Sequence, residues 1–206
     1  MRDMMALQHD AYARDWPADS ARFAAAKSDD PFLEELRREL VRWDGQHRRE
    51  SRAAAVYHYA SRARREGRSA EATLSAGAAA SAGAELRAAV DSLRARQGAD
   101  STQWRWGRIN RSELPHALVR AYDIPPVERH GGAGFVAAVG ATFREIIDMG
   151  DLDAALATNV PGQSGQPGSP FYQNLTESYG RGVYFPMVFT RRAIEREATH
   201  RLVLVP

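Results

Sequence analysis

The chain contains no cysteine, which excludes disulfides, thiol catalysis and zinc–thiolate sites. It is nearly without lysine as well: Lys27 stands alone, and every other basic residue is arginine. Residues Met1 to Asp10 lack the apolar core of a signal peptide, and no stretch has the length and apolarity of a membrane span. One-signed charge is also lacking, because 28 Lys and Arg face 26 Asp and Glu for a formal net charge of +2. The acids are interleaved with the arginines, whereas a dedicated nucleic-acid binder concentrates positive charge on one stripe. The arginine and alanine bias reads as a GC-rich coding sequence before it reads as a function.

What is present fits a globular chain. A hydrophobic share of 44% and a charged share of 26% over 206 residues exclude disorder throughout and suffice for one core with a helical annex. The first half reads as helices. An amphipathic segment holding Met4, Leu7 and Gln8 is expected to stop before Pro17. Asp30 followed by Pro31 marks a helix start, a capping acid and then proline at the first helical position. Phe32, Leu33, Leu36, Leu40 and Trp43 recur at helical spacing, and Gly45 is the expected stop. Ser51 caps a further helix running through Ala54, Tyr57 and Ala60 to Gly67. Ser75 to Ala84 is nearly all Ala, Ser and Gly, either flexible or a loosely held helix. Another helix carries Leu86, Val90 and Leu93 and ends near Gly98.

After Asp100 the pattern changes. Trp104, Trp106 and Ile109 alternate with polar residues, as on a half-buried strand. Pro115, Pro125 and Pro126 are expected to break regular structure, and Gly131, Gly132 and Gly134 to form a turn. Phe135 to Val139 and Phe143 to Met149 are expected to pair as a hairpin about Gly140–Ala141, with Leu156 to Val160 a third strand. Tyr184 to Phe189 is an apolar run, Thr190 caps a short helix through Ile194 to Ala198, and Arg201 to Val205 is a final strand. No repeat of fixed period is visible. The fold class is therefore α+β, mainly helical over 1–99 and β-rich over 100–206.

No active site emerges from spacing alone. Gly162-Gln163-Ser164-Gly165 resembles a nucleophile elbow, but that motif needs a second glycine where Gln166 stands, and Pro167 and Pro170 prevent a following helix. His9, His47, His58, His116, His130 and His200 include no close ligand pair. Asp148, Asp151 and Asp153 around Gly150 lack the other ligands of a calcium loop and read as a polar turn. The basic runs Arg48-Arg49-Arg52 and Arg62-Arg64-Arg65-Arg68, with Trp104-Arg105-Trp106, are weighed as a stacking surface for nucleic acid and read instead as solvated helix faces with a cation–π contact.

A resemblance adds to this. Ala138 to Asp151, then Asn159-Val160-Pro161-Gly162-Gln163-Ser164-Gly165-Gln166-Pro167-Gly168-Ser169-Pro170-Phe171-Tyr172, then Tyr184 to Arg191 and the closing Leu202-Val203-Leu204-Val205-Pro206 resemble, in order, the last blocks of the penicillin acylase family of N-terminal-nucleophile (Ntn) hydrolases. Leu7-Gln8-His9-Asp10, Trp43-Asp44-Gly45 with Ser51, and Trp104-Arg105-Trp106-Gly107 resemble earlier blocks of the same family. Ala13 is a departure, because the family often has serine there.

The resemblance implies a four-layer αββα sandwich, of which residues 1–206 form the C-terminal portion of the β chain. It implies hydrolysis of amides of acylated small molecules, such as β-lactam side chains or acyl-homoserine lactones, by a precursor that cuts itself into α and β chains. The first β-chain residue is then the nucleophile and its amino group the base, with an asparagine among the oxyanion donors. Both lie upstream of the matched blocks, and neither Met1 nor Arg2 can replace the nucleophile. No catalytic, cofactor-binding or metal-ligating residue is therefore assigned, and the chain alone is expected to be an inactive fragment. The family further implies a calcium in the full-length fold, the missing upstream β-chain segment and the α chain as partners, no nucleic acid or membrane partner, and a periplasmic or secreted location. The rival readings are a non-catalytic interaction module and a weak basic nucleic-acid binder.

Overall fold

Helical periodicity and capping carry the first half of the chain in the computed structural model, which describes residues 16–67, 78–131 and 142–200. The chain divides into two units. Among the described residues, the helical unit takes in 16–67, 78–111 and 128–131, and the second unit 112–127 and 142–200.

Helix α1 spans Trp16–Ala25. The segment around Met4, and with it the expected stop before Pro17, lies outside the described residues; Pro17 itself lies inside α1, in its first turn. Proline is tolerated there because the first N–H groups of a helix have no intrahelical acceptor. Helix α2, Pro31–Arg42, starts as the sequence indicates, with the Asp30 carboxylate accepting from the backbone N–H of Phe32 and Leu33. It ends three residues before Gly45, which takes a left-handed φ of 79° in the following turn. Helix α3, Arg52–Gly67, is capped by Ser51 Oγ, which accepts from Ala54 N at 3.0 Å. Helix α4 spans Ala78–Gln97 and stops at Gly98 with φ 94°.

These helices enclose one apolar core. Phe23, Leu33, Leu36, Leu40, Val56, Leu86, Val90 and Leu93 are buried in it. Ala53, Ala54, Ala55 and Ala60 of α3 are buried as well; their small side chains let α4 approach, and α3 and α4 form the most extensive helix pair. An aromatic group closes one part of the core. The Trp16 ring lies 4.9 Å from Trp43 and 5.1 Å from Tyr57, both edge-on.

Residues 101–110 depart from the expected strand. They form 3₁₀ turns at Ser101–Gln103 and Trp106–Arg108. The alternation is real at Trp104, Arg105 and Trp106, but what it satisfies is two indole anchors. Trp104 Nε1 donates to Gly98 O at 2.8 Å and Trp106 Nε1 to Gly131 O at 2.6 Å. The backbone N–H groups of Trp106 and Gly107 go to Ser51 O and Arg49 O. Backbone donors are thus spent on a loop rather than on a partner strand.

In the second unit, β1 (Arg111–Leu114) pairs with β2 (Ile124–Glu128). Here Pro125 and Pro126 lie within a strand, contrary to expectation; a two-stranded sheet has only edges, where a missing N–H is tolerated. Strands β3 (Phe143–Ile146), β4 (Leu156–Asn159) and β5 (Phe185–Pro186) form an antiparallel sheet in that order. Its register sets Arg144 opposite Thr158 and Ile146 opposite Leu156. The expected strand Phe135–Val139, its turn at Gly140–Ala141 and the strand Arg201–Val205 lie outside the described residues. Helix α5 (Thr176–Gly180) packs on β4, and α6 (Arg191–Glu197) is capped by Thr190 Oγ1, which accepts from Ala193 N. The architecture is mixed α+β. Among the described residues, no helix is long and apolar enough to cross a membrane.

Candidate functional site

The serine loop of the second unit is built from backbone approach. Gln163 N and Ser164 N both donate to Phe171 O, at 2.9 and 3.1 Å, and Leu175 N returns to Pro161 O at 3.2 Å. Asn174 Nδ2 donates to Gln163 Oε1, and Asn174 Oδ1 accepts from Gln163 N. Gly162 is required by this closure: a Cβ there would stand 2.2 Å from Phe171 O and 2.6 Å from Tyr172 O. Ser164 Oγ accepts from Gln166 N at 3.1 Å and closes a local turn. Among the described residues no histidine or carboxylate is hydrogen-bonded to Ser164 as a base would be. Tyr172 extends its anchoring by donating its hydroxyl to Tyr122 O at 2.9 Å.

The same unit buries a cation. Arg144 on β3 is 5% exposed, with its guanidinium carbon 4.1 Å from the centroid of Tyr179 on α5. Tyr179 is 0% exposed, and its hydroxyl lies 3.4 Å from Ser112 Oγ. Burial pushes the Tyr184 phenol up, and the charge of Arg144 opposes that. Sequence reading missed Arg144. The signal was available, because two-residue alternation sets it on the same face as Ile146.

Carboxylates in the candidate calcium segment hold backbone instead. Asp148 Oδ1 accepts from Gly150 N, and Asp151 Oδ1 from Asp153 N. Asp153 accepts from Phe189 N, Thr190 N and the Thr190 hydroxyl, at 2.9, 2.7 and 2.6 Å. These bonds, with Thr190 leading, hold its pKa below the ordinary value. The polar-turn reading is what the geometry gives.

In the helical unit, Asp19 is the centre of a buried charge network. It accepts from the Tyr57 hydroxyl at 2.7 Å and from Arg22 at 3.0 Å, and it pairs with Arg64. Arg22 also reaches Glu85 at 2.7 Å. Burial would raise the Asp19 pKa, but Tyr57, Arg64 and Arg22 together outweigh it and hold it low. Others of the sequence runs are also paired: Arg48 with Asp44, Arg49 with Glu50, Arg52 with Glu35 and Glu39, and Arg62 with Glu66. The indoles of Trp104 and Trp106 are 1% and 3% exposed, and therefore offer no surface for a base to stack on.

Histidines sit among aromatic rings or loops. His47 is buried 5.2 Å from Trp43 and 4.9 Å from Trp106. His130 Nδ1 accepts from Arg49 N at 3.0 Å. His58 lies 5.2 Å from Trp106, and its pKa is pushed down to about 4 by burial, then by Arg65, Arg62 and Arg96. Beside it opens a groove of about 800 Å³ whose lining includes five arginines and one glutamate. Three of them, Arg105, Arg108 and Arg111, recur at intervals of three in the sequence, a signal that the reading by basic runs passed over.

Comparison with known proteins places these features. The family model described as "Penicillin amidase" matches residues 1–196. Acyl-homoserine lactone acylase QuiP of Pseudomonas putida is 26% identical, over 59% of this chain and 17% of that protein. The QuiP acylase of Pseudomonas syringae pv. tomato is 28% identical with the same coverage, and that of Pseudomonas aeruginosa 24% identical over 59% of this chain and 18% of its own. The match thus spans about one sixth of the length of these curated relatives. With the ordered sequence blocks and a family match that takes in nearly all of its residues, the chain belongs to the penicillin amidase family.

Proposed function

We propose that these 206 residues are the C-terminal portion of the β chain of an Ntn amide hydrolase with the four-layer αββα sandwich, acting on acylated small molecules, acyl-homoserine lactones foremost. The observation that carries this reading is the family match over residues 1–196 together with the small share of each relative that it spans. The activity of these relatives, acyl-homoserine lactone acylase, supplies the substrate class. The nucleophile and the oxyanion asparagine then come from an upstream β-chain segment and the α chain of one precursor, in a periplasmic or secreted enzyme that binds a calcium. The β3–β4–β5 sheet and its serine loop form part of the scaffold on which such a site is assembled.

Two measurements test this. The purified chain, incubated with an N-acyl-homoserine lactone, is expected to release no homoserine lactone; turnover by this chain alone overturns the assignment of the nucleophile elsewhere. Sequencing of the coding DNA upstream of the Met1 codon is expected to show an open frame with a Gly-Ser junction and a later asparagine. An in-frame stop codon just upstream overturns the shared precursor.

A further inference from the structure

The groove beside His58 is walled by α3, α4, the Trp106–Arg108 turn and the adjoining residues Arg111 and Glu128. Arg62, Arg96, Arg105, Arg108 and Arg111 contribute to its lining, against Glu128 as the one carboxylate. Glu128 neutralises Arg105 through paired contacts of 3.0 and 2.8 Å, and Arg62 is held by Glu66 at 2.7 Å. Arg96 lies over the Tyr59 ring at 5.8 Å, within cation–π reach. Arg108 reaches Gln97 O at only 3.5 Å, a contact at the limit of hydrogen bonding. Converging like charges are unfavourable without a counter-ion.

We propose that this groove binds a small phosphate-bearing polyanion, with Arg96 and Arg108 as its direct ligands and the ion-paired Arg62 and Arg105 as supports. The inference is independent of the amide-hydrolase reading. Arginine suits the planar, two-point recognition of phosphate oxygens. The volume of about 800 Å³ lies in the range of small-ligand sites. A nucleic acid strand would need aromatic platforms, whereas Tyr59 and Trp106 are 6% and 3% exposed. The neutral imidazole of His58, whose pKa is depressed by burial first and then by Arg65, Arg62 and Arg96, is a built-in sensor of what occupies the groove.

The test uses the full 206-residue chain and inorganic pyrophosphate at low ionic strength, by titration calorimetry and by NMR titration of His58. Saturable one-site binding is expected. Arg96→Gln and Arg108→Gln are each expected to weaken it about tenfold, the loss of one charge-assisted hydrogen bond. Arg38→Gln, 64% exposed at its side chain on α2, is the control and leaves the affinity unchanged. Thermal melts of the three variants confirm folding. Bound pyrophosphate is expected to raise the His58 titration midpoint by about one unit, as an opposite charge nearby favours the protonated ring. The proposal is overturned by unsaturable binding, by equal weakening in Arg38→Gln, or by an unmoved His58. It is equally overturned if a single-stranded oligonucleotide binds through these arginines and pyrophosphate does not.

Discussion

Arg144 stands 4.1 Å from the centroid of the Tyr179 ring, and its charge and hydrogen bonding also act on the Tyr184 phenol. The ring face thus compensates a cation that the sheet has otherwise removed from water. Tyr179→Leu is expected to destabilise the second unit by about 2–4 kcal/mol, combining lost packing and lost cation–π attraction. Arg144→Met is expected to be neutral or stabilising in this chain, because an apolar side chain of similar volume replaces a buried cation whose desolvation its neighbours only partly offset. Urea melts of the two variants check the pair. A loss in Arg144→Met as large as that in Tyr179→Leu would show that its neighbours offset that desolvation in full.

Gly162 and Ser164 separate structure from chemistry in the serine loop. Gly162→Ala places a Cβ against two backbone carbonyl oxygens, at 2.2 and 2.6 Å. Neither can swing aside as a side chain would, so the loop must open, with a loss of about 1–3 kcal/mol. Gly165→Ala meets nothing within 4 Å and is expected to leave the melting curve unchanged. Ser164→Ala forfeits one turn contact to Gln166 N, a loss of about 1 kcal/mol, and is expected to leave the activity of a complete acylase intact. Abolished turnover in that variant would make Ser164 the nucleophile and remove the architectural role argued above.

The helices were legible because their signals are local. Asp30, Ser51 and Thr190 each cap the helix they announce, and Gly98 stops α4 with a positive φ. The misreadings share one cause, which is that tertiary partners decided between local alternatives. Trp104 and Trp106 alternate like strand residues but are held by indole bonds to the carbonyls of Gly98 and Gly131. Pro125 and Pro126 are breakers only in strand interiors, and both lie in a two-stranded sheet where a missing N–H is tolerated. The cationic groove was legible only in the spacing of Arg105, Arg108 and Arg111, because these meet Arg62 and Arg96 only after three segments have packed together. Family membership was legible in the ordered motifs, since the serine loop needs Gly162 for a backbone approach that no other residue allows.

Asp19 concentrates the acid sensitivity of the helical unit. Its pKa is held below the usual 3.8, with Tyr57, Arg64 and Arg22 outweighing burial. A carboxylate whose folded pKa is depressed stabilises the fold above its unfolded pKa and ceases to do so as pH falls through the folded one. The contribution of Asp19 is therefore whole above pH 3.8 and lost below it. Glu34, lowered from 4.5 to about 2 chiefly by its bond to Arg37, adds a loss over that window. Asp19→Asn leaves Arg64 and Tyr57 facing a neutral amide and is expected to cost about 3 kcal/mol at neutral pH. Thermal melts between pH 7 and pH 2 (bounds chosen to bracket both carboxylates) check the prediction; an unchanged acid limb in Asp19→Asn would assign that limb to other carboxylates.

His58 produces a second, separate pH dependence at milder acidity. Its folded pKa of about 4 lies below the ordinary 6.5, through burial first and then Arg65, Arg62 and Arg96. Between those values the unfolded chain binds a proton that the folded chain refuses, so acidification favours unfolding. Stability is full above pH 6.5, declines as pH falls to about 4, and shows no further loss from this group below that. A shift of this size corresponds to roughly 3 kcal/mol across the window. His58→Phe preserves a ring beside Trp106 and removes the proton site, so its stability is expected to be flat from pH 6.5 to pH 4 while the Asp19 limb remains. Pyrophosphate in the groove is expected to shrink the same slope in the parent chain, since a bound anion raises the folded pKa toward the unfolded one. Denaturant melts at several pH values, with and without pyrophosphate, measure both effects. A slope that survives in His58→Phe would belong to another histidine.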